Sequence, residues 1–544
     1  MLFAFVIFLS GWRLYKITPA GKGNVIWKVC KCIFFAIRGK IFAKLRGSDT
    51  ASHWLDYASP KYHDSLIVGV KSLVAVSTLF IPVVLFWALF DQQGSTWVLQ
   101  ARRMDGRVGP ITILPDQMNT VNPLMIILLV PLFEAFIYPA CRRLFHVTPL
   151  RKMAAGGLLA ALAFIIAGIL QLKVNETLEP KPAAGNVFVC RIGNSTAEIR
   201  SNTGLTLAAT KNEWPAGNYT LRSARTTFNV ELQEEKCGYV LGTFSTENGE
   251  SLTIFPYSCE KSENGMTTVY VLVDEASPLV GTTLYVLDED GLINTQTRLT
   301  PGARINIRPG FISSPNYVIA YGNCVNRTVG DTPSIRCSHN VDFFAQMGAA
   351  HILNIEQSHK SGEVTQAGKE VMTEIVRPNS VNMLWQIPQF FVITLGEVLF
   401  SVTGLEFSYS QAAPTMKSVL QALWLLTIFF GNVIDMFISG THIIHEPASE
   451  FFLYAFLMFI VICVFIAISL NYTYVNEHQM AEAAAREDLA ELEAEKAAAA
   501  AVPSLTVLSP PSDADGESGG VHRRANATTE SVSKGASRSP DHTA

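Results

Sequence analysis

Four carboxyl groups lie inside long apolar stretches of this sequence. Glu397 lies in "ITLGEVLFS", Glu134 in "VPLFEAFIYP", Asp435 in "GNVIDMFISG" and Asp91 in "FWALFDQQG". A carboxyl group in a medium of low dielectric constant resists ionisation, so it can carry a proton near neutral pH or hold an ammonium group. The position of Glu397 favours such a role. Glu134 fits a satisfied structural group equally well, and Asp435 lies near the end of its stretch, where it would reach water.

Aromatic and amide side chains accompany Asp91 on one side of a predicted helix. At about 100° per residue, one broad face of "WALFDQQGSTW" carries rings, an acid and a glycine, with Gln93 at its margin. The residues of this face are Trp87, Phe90, Asp91, Gly94 and Trp97. They suit the wall of a wet cavity that accepts varied side chains. The alternative is an aromatic belt at the membrane surface, which explains Trp97 better than Trp87, since Trp87 lies about 15 Å deeper.

The composition indicates a membrane protein. The 544 residues are 49% hydrophobic and 16% charged, with a mean hydropathy of +0.25, whereas soluble proteins carry about 25% charged residues. Six runs are long enough to cross a bilayer. They are residues 71–97, 122–140, 153–172, 381–401, 419–440 and 451–470. Residues 1–12 are about half a span and are predicted to be a truncated transmembrane helix.

Several function classes are excluded by the sequence. A net charge of −4 argues against nucleic-acid binding, for which a basic excess is expected. The hydrolase, metalloprotease and nucleotide-binding motifs G-x-S-x-G, H-E-x-x-H and G-x-x-x-x-G-K-[ST] do not occur. His442 and His445 have no other metal ligands around them in the sequence. We therefore expect neither an enzyme nor a metal site.

Basic residues predict the orientation. Residues 13–65 hold ten Lys or Arg against three Asp, and "CRRLFHVTPLRK" is also basic. Such segments stay in the cytoplasm, which places residues 174–380 outside and the C-terminal tail inside a multi-pass plasma-membrane protein. The outside segment carries glycosylation sequons at Asn175, Asn194, Asn218 and Asn326. It also holds five of the nine cysteines, so disulfides are expected with one thiol left over.

The external segment has β character. Short runs such as "NVFVCRI", "TTVYVLV" and "NYVIAY" are rich in β-branched and aromatic residues and are separated by Gly, Asn, Ser and Pro. About 200 residues suffice for two small β-sandwich lobes, which we divide near residues 276–281. The predicted fold class is an α-helical membrane bundle with an inserted extracellular β-sandwich region.

The remaining segments complete the predicted domains. Residues 13–70 form a cytoplasmic basic linker, in which "IWKVCKCIFFAIRGKIFAKLR" is either an amphipathic helix on anionic lipid or a plain linker. Residues 71–173 and 381–472 each hold three spans. In the tail, 473–544, the segment 476–501 is rich in Ala, Glu and Leu and predicts a helix, followed by disorder.

Three longer motifs carry a family resemblance. They are "FWALFDQQGSTW", "PDQMNTVNPLMIILLVPLFEAFIYP" and "LWQIPQFFVITLGEVLFSVTGLEFSYSQAAPTMKSVLQALWLLT". The sequence from residue 1 to about 475 resembles the C-terminal half of animal proton-coupled oligopeptide transporters, within the major facilitator superfamily. Members have twelve helices, so the resemblance implies the end of the sixth helix and the seventh to twelfth. The external insert would correspond to a pair of immunoglobulin-like lobes.

The resemblance also implies roles for individual residues. Asn122 matches an eighth-helix residue that holds the peptide amino terminus, and Glu397 matches the tenth-helix acid that pairs with the same ammonium group. The positions that match the aromatic and amide pocket walls are Trp87, Phe90, Gln93 and Trp424. Candidates for proton transfer or gating are Glu134, Glu397 and Asp91.

Two departures from the family pattern qualify this expectation. Ala75 stands where such carriers often place a basic residue, which puts the gating ion pair with Glu134 in doubt. The N-terminal bundle, which supplies the E-x-x-E-R motif and the cations for the peptide carboxylate, has no counterpart here. Because alternating access needs two bundles, we expect this chain to be a fragment, an alternative start or an incomplete gene product that is inactive alone.

The expected function of the full-length protein is symport of di- and tripeptides, with the proton as coupling ion and no other cofactor. The implied partners are the peptide, the lipid bilayer and the N-terminal bundle. The alternative is a non-transporting membrane glycoprotein that acts as a receptor, tether or regulatory subunit through its external lobes.

Overall fold

The computed structural model describes most of the chain. The described residues are 2–13, 25–46, 53–59, 61–62, 64–144, 148–193, 198–207, 211–223, 226–246, 249–262, 265–310, 314–329, 332–355, 358–360, 363–365, 370–412, 416–441, 446–474 and 493. The chain divides into two units, Met1–Ala485 and Arg486–Ala544. In the second unit Glu493 is described, in helical conformation, and the rest of the predicted tail helix lies outside the described residues.

Eleven helices are described. They are α1 Leu2–Ser10, α2 Val25–Leu45, α3 Asp64–Phe90, α4 Gln92–Ala101, α5 Val121–Leu132, α6 Tyr138–Leu144, α7 Pro149–Asn175, α8 Ile387–Glu397, α9 Thr403–Ser410, α10 Lys417–Thr441 and α11 Pro447–Leu470. Short 3₁₀ turns cover Trp54–Ala58, Pro115–Thr120 and Met383–Gln386. Two π-helical segments cover Phe133–Ile137 and Val398–Val402.

Six helical stretches within the described residues are long and apolar enough to cross a membrane. They are Leu66–Ala101, Pro115–Ala140, Pro149–Asn175, Met383–Ser410, Lys417–Gly440 and Pro447–Leu470. All six predicted spans are therefore present, but the predicted bounds are too narrow. The first span continues to Ala101, because Gln100 in this extension is bonded to other helices and does not end the helix. The fourth span continues to Ser410, and the hydroxyls of Ser408 and Ser410 bond to carbonyl oxygens of their own helix.

Close approach of glycines holds the centre of the bundle together. A Cβ atom placed on Gly396 of α8 would lie 2.6 Å from the carbonyl oxygen of Gly156 in α7. The reverse substitution meets the same obstacle, since a Cβ on Gly156 would lie 2.6 Å from the carbonyl oxygen of Gly396. Small residues at a helix contact let the two backbones approach closely, so α7 and α8 pack here without intervening side chains.

A buried amide network joins three of the helices. Gln100 of α4 donates from Nε2 to the carbonyl oxygen of Ala167 in α7, at 3.0 Å. Its Oε1 accepts hydrogen bonds from Gln386 and Gln389, each at 3.0 Å, and Gln386 also donates to the carbonyl oxygen of Trp97 at 3.0 Å. All three glutamines are buried. Because these hydrogen bonds are buried, the network fixes the three helices relative to one another.

Replacing Gln100 by leucine is expected to destabilise the bundle by about 2–4 kcal/mol, because buried donors and acceptors on α7 and α8 lose their partner. Thermal unfolding of the purified chain in detergent measures the change. Ser95→Ala, at an exposed position of the same helix, is the control and should change stability much less. Equal melting temperatures for Gln100→Leu and Ser95→Ala would show that the network does not stabilise the bundle.

The external segment is built from strands. The strands of the described chain are β1 Arg107–Val108, β2 Ile111–Thr112, β3 Asn186–Gly193, β4 Arg200–Ser201, β5 Asn212–Pro215, β6 Gly217–Arg222, β7 Thr227–Leu232, β8 Gly238–Thr246, β9 Gly249–Tyr257, β10 Thr267–Leu272, β11 Thr283–Leu287, β12 Ile293–Arg298, β13 Arg304–Ile307, β14 Asn316–Tyr321, β15 Val325–Val329, β16 Thr332–Arg336, β17 His339–Phe344, β18 Ala350–Ile355, β19 Ser358–Lys360, β20 Glu363–Thr365 and β21 Glu370–Val376. β1 and β2 form a hairpin between the first two spans.

The strands form two pairs of sheets. In the first pair, the sheets ordered β5-β3-β8-β9 and β4-β6-β7 enclose a core that contains Trp214 and Leu241. In the second pair, the sheets ordered β13-β10-β18-β21 and β12-β11-β14-β17 enclose a core that contains Val286 and Ile319. The predicted division near residues 276–281 is wrong. Those residues connect β10 to β11 within the second pair, and the change from one pair to the other falls between Tyr257 and Thr267.

Disulfides and an interface stabilise this arrangement. Cys237 pairs with Cys259 and Cys324 with Cys337, while Cys190 is a free, half-buried thiol. The prediction that one external thiol is left over is confirmed. A third apolar cluster, which includes Phe255 of β9 and Tyr270 of β10, joins the two pairs of sheets.

The basic linker contains a helix, α2. Its Val29, Cys32 and Ala36 are buried, whereas Trp27 and Phe42 on its surface are more than 45% exposed. Lys31 lies over the ring of Trp27 at 5.2 Å. Of the two alternatives, the structure therefore favours a helix. One of its faces is buried, and its exposed surface also carries apolar side chains.

Candidate functional site

A half-buried carboxylate and a half-buried amide meet where α5 and α8 come together. Asn122 Nδ2 donates a hydrogen bond of 2.9 Å to Glu397 Oε2. The hydroxyl of Thr394, one turn before Glu397, lies within hydrogen-bond distance of Asn122 Oδ1 and of the carbonyl oxygen of Phe390. Asn122 is thus held from both ends of its amide, and it orients one oxygen of the carboxylate. Such a group can accept a further donor, such as an ammonium group, or a proton.

Glu397 and Glu134, the acids of the predicted tenth and eighth helices, each lie in or directly before a π-helical turn. The segment Val398–Val402 begins directly after Glu397, and the segment Phe133–Ile137 contains Glu134. In the second case Pro139 has no N–H to donate to the carbonyl of Ala135, which disfavours regular α-helical bonding there. Single π-helical turns inside α-helices occur frequently at functional sites.

Glu134 is not part of the Glu397 site. It lies twelve residues after Asn122 on the same helical stretch, roughly 18 Å along the axis, and its side chain is exposed. The structure therefore separates two acids that the sequence placed in one group of proton and gating candidates.

The predicted aromatic residues come together. The rings of Trp87 and Phe90 are 5.6 Å apart, and the rings of Trp87 and Trp424 are 6.3 Å apart, both edge to face. Each of the three is at most 6% exposed. They therefore form a closed cluster between α3 and α10. The Nε1 atom of Trp87 is buried without a hydrogen-bond partner.

Phe86, which was not predicted from the sequence, connects the aromatic cluster to the helix that carries Glu397. Phe86 stacks on Phe400 with a centroid distance of 3.7 Å and on Phe90 at 5.6 Å. Phe400 lies in the π-helical segment that follows Glu397. The signal available in the sequence was the i,i+4 spacing of Phe86 and Phe90, which places both rings on one face of the helix.

The polar end of the first span differs from the prediction in two ways. Asp91 separates α3 from α4, so the helical face that was predicted to run from Trp87 to Trp97 is interrupted at Asp91. Trp97 is completely buried against Phe164 of α7 and Phe390 of α8, with ring centroids at 5.8 and 4.9 Å. The interpretation of Trp97 as part of an aromatic belt is therefore wrong. Gln93 is also buried, and its Oε1 has no hydrogen-bond partner.

Asp435 is bonded within the bundle, contrary to the expectation that it reaches water. Its Oδ1 accepts hydrogen bonds from Gln92 Nε2 and from Ser439 Oγ. Gln92 was not singled out from the sequence, because an amide beside Asp91 resembles an ordinary helix end.

The predicted glycosylation positions are partly described. Asn218 is exposed in β6, and Asn326 lies in β15. Asn175 ends α7 and accepts a hydrogen bond from Gln171 at 2.8 Å. Asn194 lies outside the described residues. Within the described part of the chain, no group of three or more His, Cys, Asp or Glu could hold a metal ion.

Comparisons with known proteins identify the relatives of this chain. A family model described as the POT family matches residues 1–210 and 343–447. The chain is 44% identical over 490 residues to "Peptide transporter 3" of Caenorhabditis elegans, which covers 88% of this chain and 67% of that protein. It is 33% identical over 482 residues to human "Solute carrier family 15 member 1", with 88% and 66% covered. It thus spans about two thirds of the length of these relatives.

A solved structure gives a weaker likeness. The crystal structure of the POT family transporter PepTSo is 17% identical to this chain, with 87% of this chain and 63% of that chain covered and a TM-score of 0.41. The family model alone matches more than half of the residues. With its six apolar helices, the chain is a multi-pass membrane protein that belongs to the POT family.

Proposed function

We propose that the protein of which this chain forms a part or the whole is a proton-coupled symporter of di- and tripeptides. The observation that carries this proposal is the Asn122–Glu397 hydrogen bond in a chain whose relatives are named as peptide transporters and solute carriers. These names agree with the expectation that the chain is not an enzyme. They do not favour the alternative of a non-transporting receptor, tether or regulatory subunit.

In this proposal Glu397 binds the ammonium group of the peptide, and Asn122 holds the carboxylate in position. A hydrogen bond to a charged group contributes about 1.5–3 kcal/mol, more than a bond between neutral groups. Protonation of Glu397 removes the charge that attracts the ammonium group. A proton and a peptide amino terminus would therefore exclude each other at this carboxylate, so symport requires that the proton entering with the peptide is held by a second acid, such as Asp91 or Glu134.

Trp87, Phe90, Gln93 and Trp424 are proposed to line the side-chain pockets. The support lies in two buried atoms, Nε1 of Trp87 and Oε1 of Gln93, that lack hydrogen-bond partners. Burying a polar group without a partner costs about 1–3 kcal/mol. A state of the protein in which the aromatic cluster opens would offer this donor and this acceptor to the peptide backbone.

Two spans support the proposal that a second bundle completes the transporter. In these two spans most of the apolar stretch is not covered by the rest of the chain. The buried share is 11% in Pro115–Ala140 and 17% in Lys417–Gly440. Faces of this kind suit contact with another set of helices. We propose that the chain matches the family from the end of the sixth helix onward, with Glu134 at the contact between bundles and Asp91 as a further proton or gating candidate.

The external sheets are proposed to be immunoglobulin-like lobes of a plasma-membrane glycoprotein whose C-terminal tail is cytoplasmic. The paired sheets with separate cores, the two disulfides and the exposed sequon at Asn218 support an extracellular position. The family model leaves out residues 211–342, as expected of an insert.

Uptake of labelled dialanine by oocytes tests the function. We expect uptake at acidic external pH, abolished by a protonophore, when the chain is expressed together with the N-terminal bundle of its nematode relative, and none from the chain alone. Glu134→Gln should reduce the pH dependence if this acid takes part in gating. Uptake that is unaffected by the protonophore would contradict proton coupling, and uptake by the chain alone would contradict the need for a second bundle.

A further inference from the structure

A charged cavity lies where the bundle meets the external sheets. Its volume is about 320 Å³, and it is lined by the outer ends of α4, α7 and α11 together with residues 259–262, which belong to the link between the two pairs of sheets. It lies at the level where the helices leave the membrane, away from the Asn122–Glu397 site.

Three cations of this cavity, Arg102, Arg103 and Lys261, form no ion pair in the described part of the chain. Arg102 and Arg103 at the end of α4 both line it, and neither forms an ion pair with a carboxylate in the described part of the chain. Arg102 Nε is buried and has no acceptor. Lys261 Nζ donates to the carbonyl oxygens of Arg377 at 2.6 Å and Pro378 at 3.0 Å. Burial lowers the pKa of Lys261 to about 8, and the carboxylates of Glu179 and Glu374 oppose this shift only in part.

The carboxylates that line the cavity are already engaged. Glu179 accepts a hydrogen bond from the backbone N–H of Arg377 at 3.1 Å and forms an ion pair with Lys211 at 3.5 Å. Glu260 pairs with Lys181 at 3.8 Å. Glu450 accepts a hydrogen bond from the hydroxyl of Tyr454. The groups left to bind a ligand are therefore cationic, and the ligand that they suit is an anion.

A separate apolar groove lies further along two of the helices that line this cavity. It has a volume of about 380 Å³, lies between α7 and α11, and is lined entirely by apolar side chains. Its exposed walls are Leu158, Leu162, Ile165, Phe452, Phe456 and Phe459. Phe451 lines the charged cavity and the next residue lines the groove. On α7, the lining residues Ile165 and Gln171 are about 9 Å apart along the axis.

We propose that the charged cavity and the groove form one binding site for a phospholipid of the outer leaflet. The phosphate lies against Arg102, Arg103 and Lys261, and an acyl chain lies in the groove between α7 and α11. A free anion would use the cavity but not the groove, and a hydrocarbon would use the groove but not the cavity. A phospholipid matches both. Its charged headgroup corresponds to the cavity, and its acyl chains extend in the direction of the groove.

Occupation of this site would link the external sheets to the bundle. Lys261 belongs to the segment between β9 and β10, whereas the groove belongs to two spans. One lipid molecule would therefore connect parts of the chain that otherwise meet around an open cavity. Its phosphate would accept the hydrogen bond from Arg102.

Photo-crosslinking of the full chain in lipid nanodiscs tests the site. The probe is phosphatidylglycerol with a diazirine in one acyl chain, and labelled peptides are identified by mass spectrometry. We expect labels concentrated on residues 158–165 of α7 and 452–459 of α11. The double variant Arg102→Gln/Lys261→Gln should lower this labelling roughly tenfold, as loss of a charge-assisted hydrogen bond implies. Lys173→Gln, a matched change at an exposed position of α7, should leave it unchanged.

Two further measurements separate the possible outcomes. Leu162→Phe adds volume from an exposed wall of the groove without touching a charge, so it should also lower labelling while the chain keeps its melting temperature. Inorganic phosphate should not compete with the probe. Equal labelling of all membrane-facing helices, labelling that is insensitive to the arginine and lysine changes, or full competition by inorganic phosphate would each overturn the proposal of a phospholipid site.

Discussion

Replacing Glu397 by glutamine is expected to abolish the preference for peptides with a free amino terminus. Glutamine has the size of glutamate and can still accept the hydrogen bond from Asn122 Nδ2, so the helices should remain in place. The change removes only the negative charge. Removing one partner of a buried charge pair costs about 3–5 kcal/mol, which corresponds to a loss of affinity of at least roughly 100-fold.

Binding of dialanine and of N-acetyl-dialanine to the same preparations measures this effect. The unmodified chain, together with the second bundle where one is needed, should bind dialanine roughly 100-fold more tightly than the acetylated peptide, and Glu397→Gln should bind the two alike. Glu406→Gln is the matched control, since it removes the same charge from an exposed position roughly 14 Å away along the same helical stretch. A Glu397→Gln protein that still discriminates between the two peptides would show that another group binds the amino terminus.

Hydropathy was sufficient to find the six spans and insufficient to find where they end. The predicted first span stops at Trp97, because the amides and hydroxyls that precede it suggest an exit into water. In the structure Trp97 is buried and Gln100 is satisfied by side chains of another span. Whether a polar residue ends a helix therefore depended on partners nearly 300 residues away in the chain, which no local pattern contains.

The two parts of the candidate site were predictable to different degrees. The family motifs singled out Asn122 and Glu397, and the structure places these two within hydrogen-bond distance. The π-helical turn after Glu397 and the stacking of Phe86 on Phe400 were not foreseen. Both arise from packing between helices that are distant in sequence, and an apolar run contains no periodic signal for a single wide turn.

The division of the external region shows the same limit. Strand-forming runs were recognisable from their composition, but the assignment of each strand to a sheet depends on its neighbours. β10 pairs in parallel with β18, more than 75 residues later, and this pairing places β10 in the second lobe. The predicted boundary near residues 276–281 falls in a turn between β10 and β11 and does not separate the two pairs of sheets.

The second large effect is expected from Gly396→Val. A Cβ at this position would lie 2.6 Å from the carbonyl oxygen of Gly156 and 3.1 Å from the backbone nitrogen of Ala160. Both obstacles are backbone atoms of α7, so no side chain can move aside, and α8 must separate from α7. Overpacking of a close contact costs about 1–3 kcal/mol and occasionally more, and we expect the upper end of this range because the obstacle is rigid.

The same displacement should reach the candidate site, because Glu397 follows Gly396 directly and its bond to Asn122 depends on the position of α8. Thermal unfolding and dialanine binding of Gly396→Val should therefore both decrease. Gly94→Ala is the matched control: a Cβ at Gly94 meets nothing within 4 Å, and alanine favours the helix by about 1 kcal/mol, so stability should be kept or raised. If Gly396→Val melted at the temperature of Gly94→Ala, the contact between α7 and α8 could not be as close as the structure places it, and the position of Glu397 would have to be explained by other contacts of its helix.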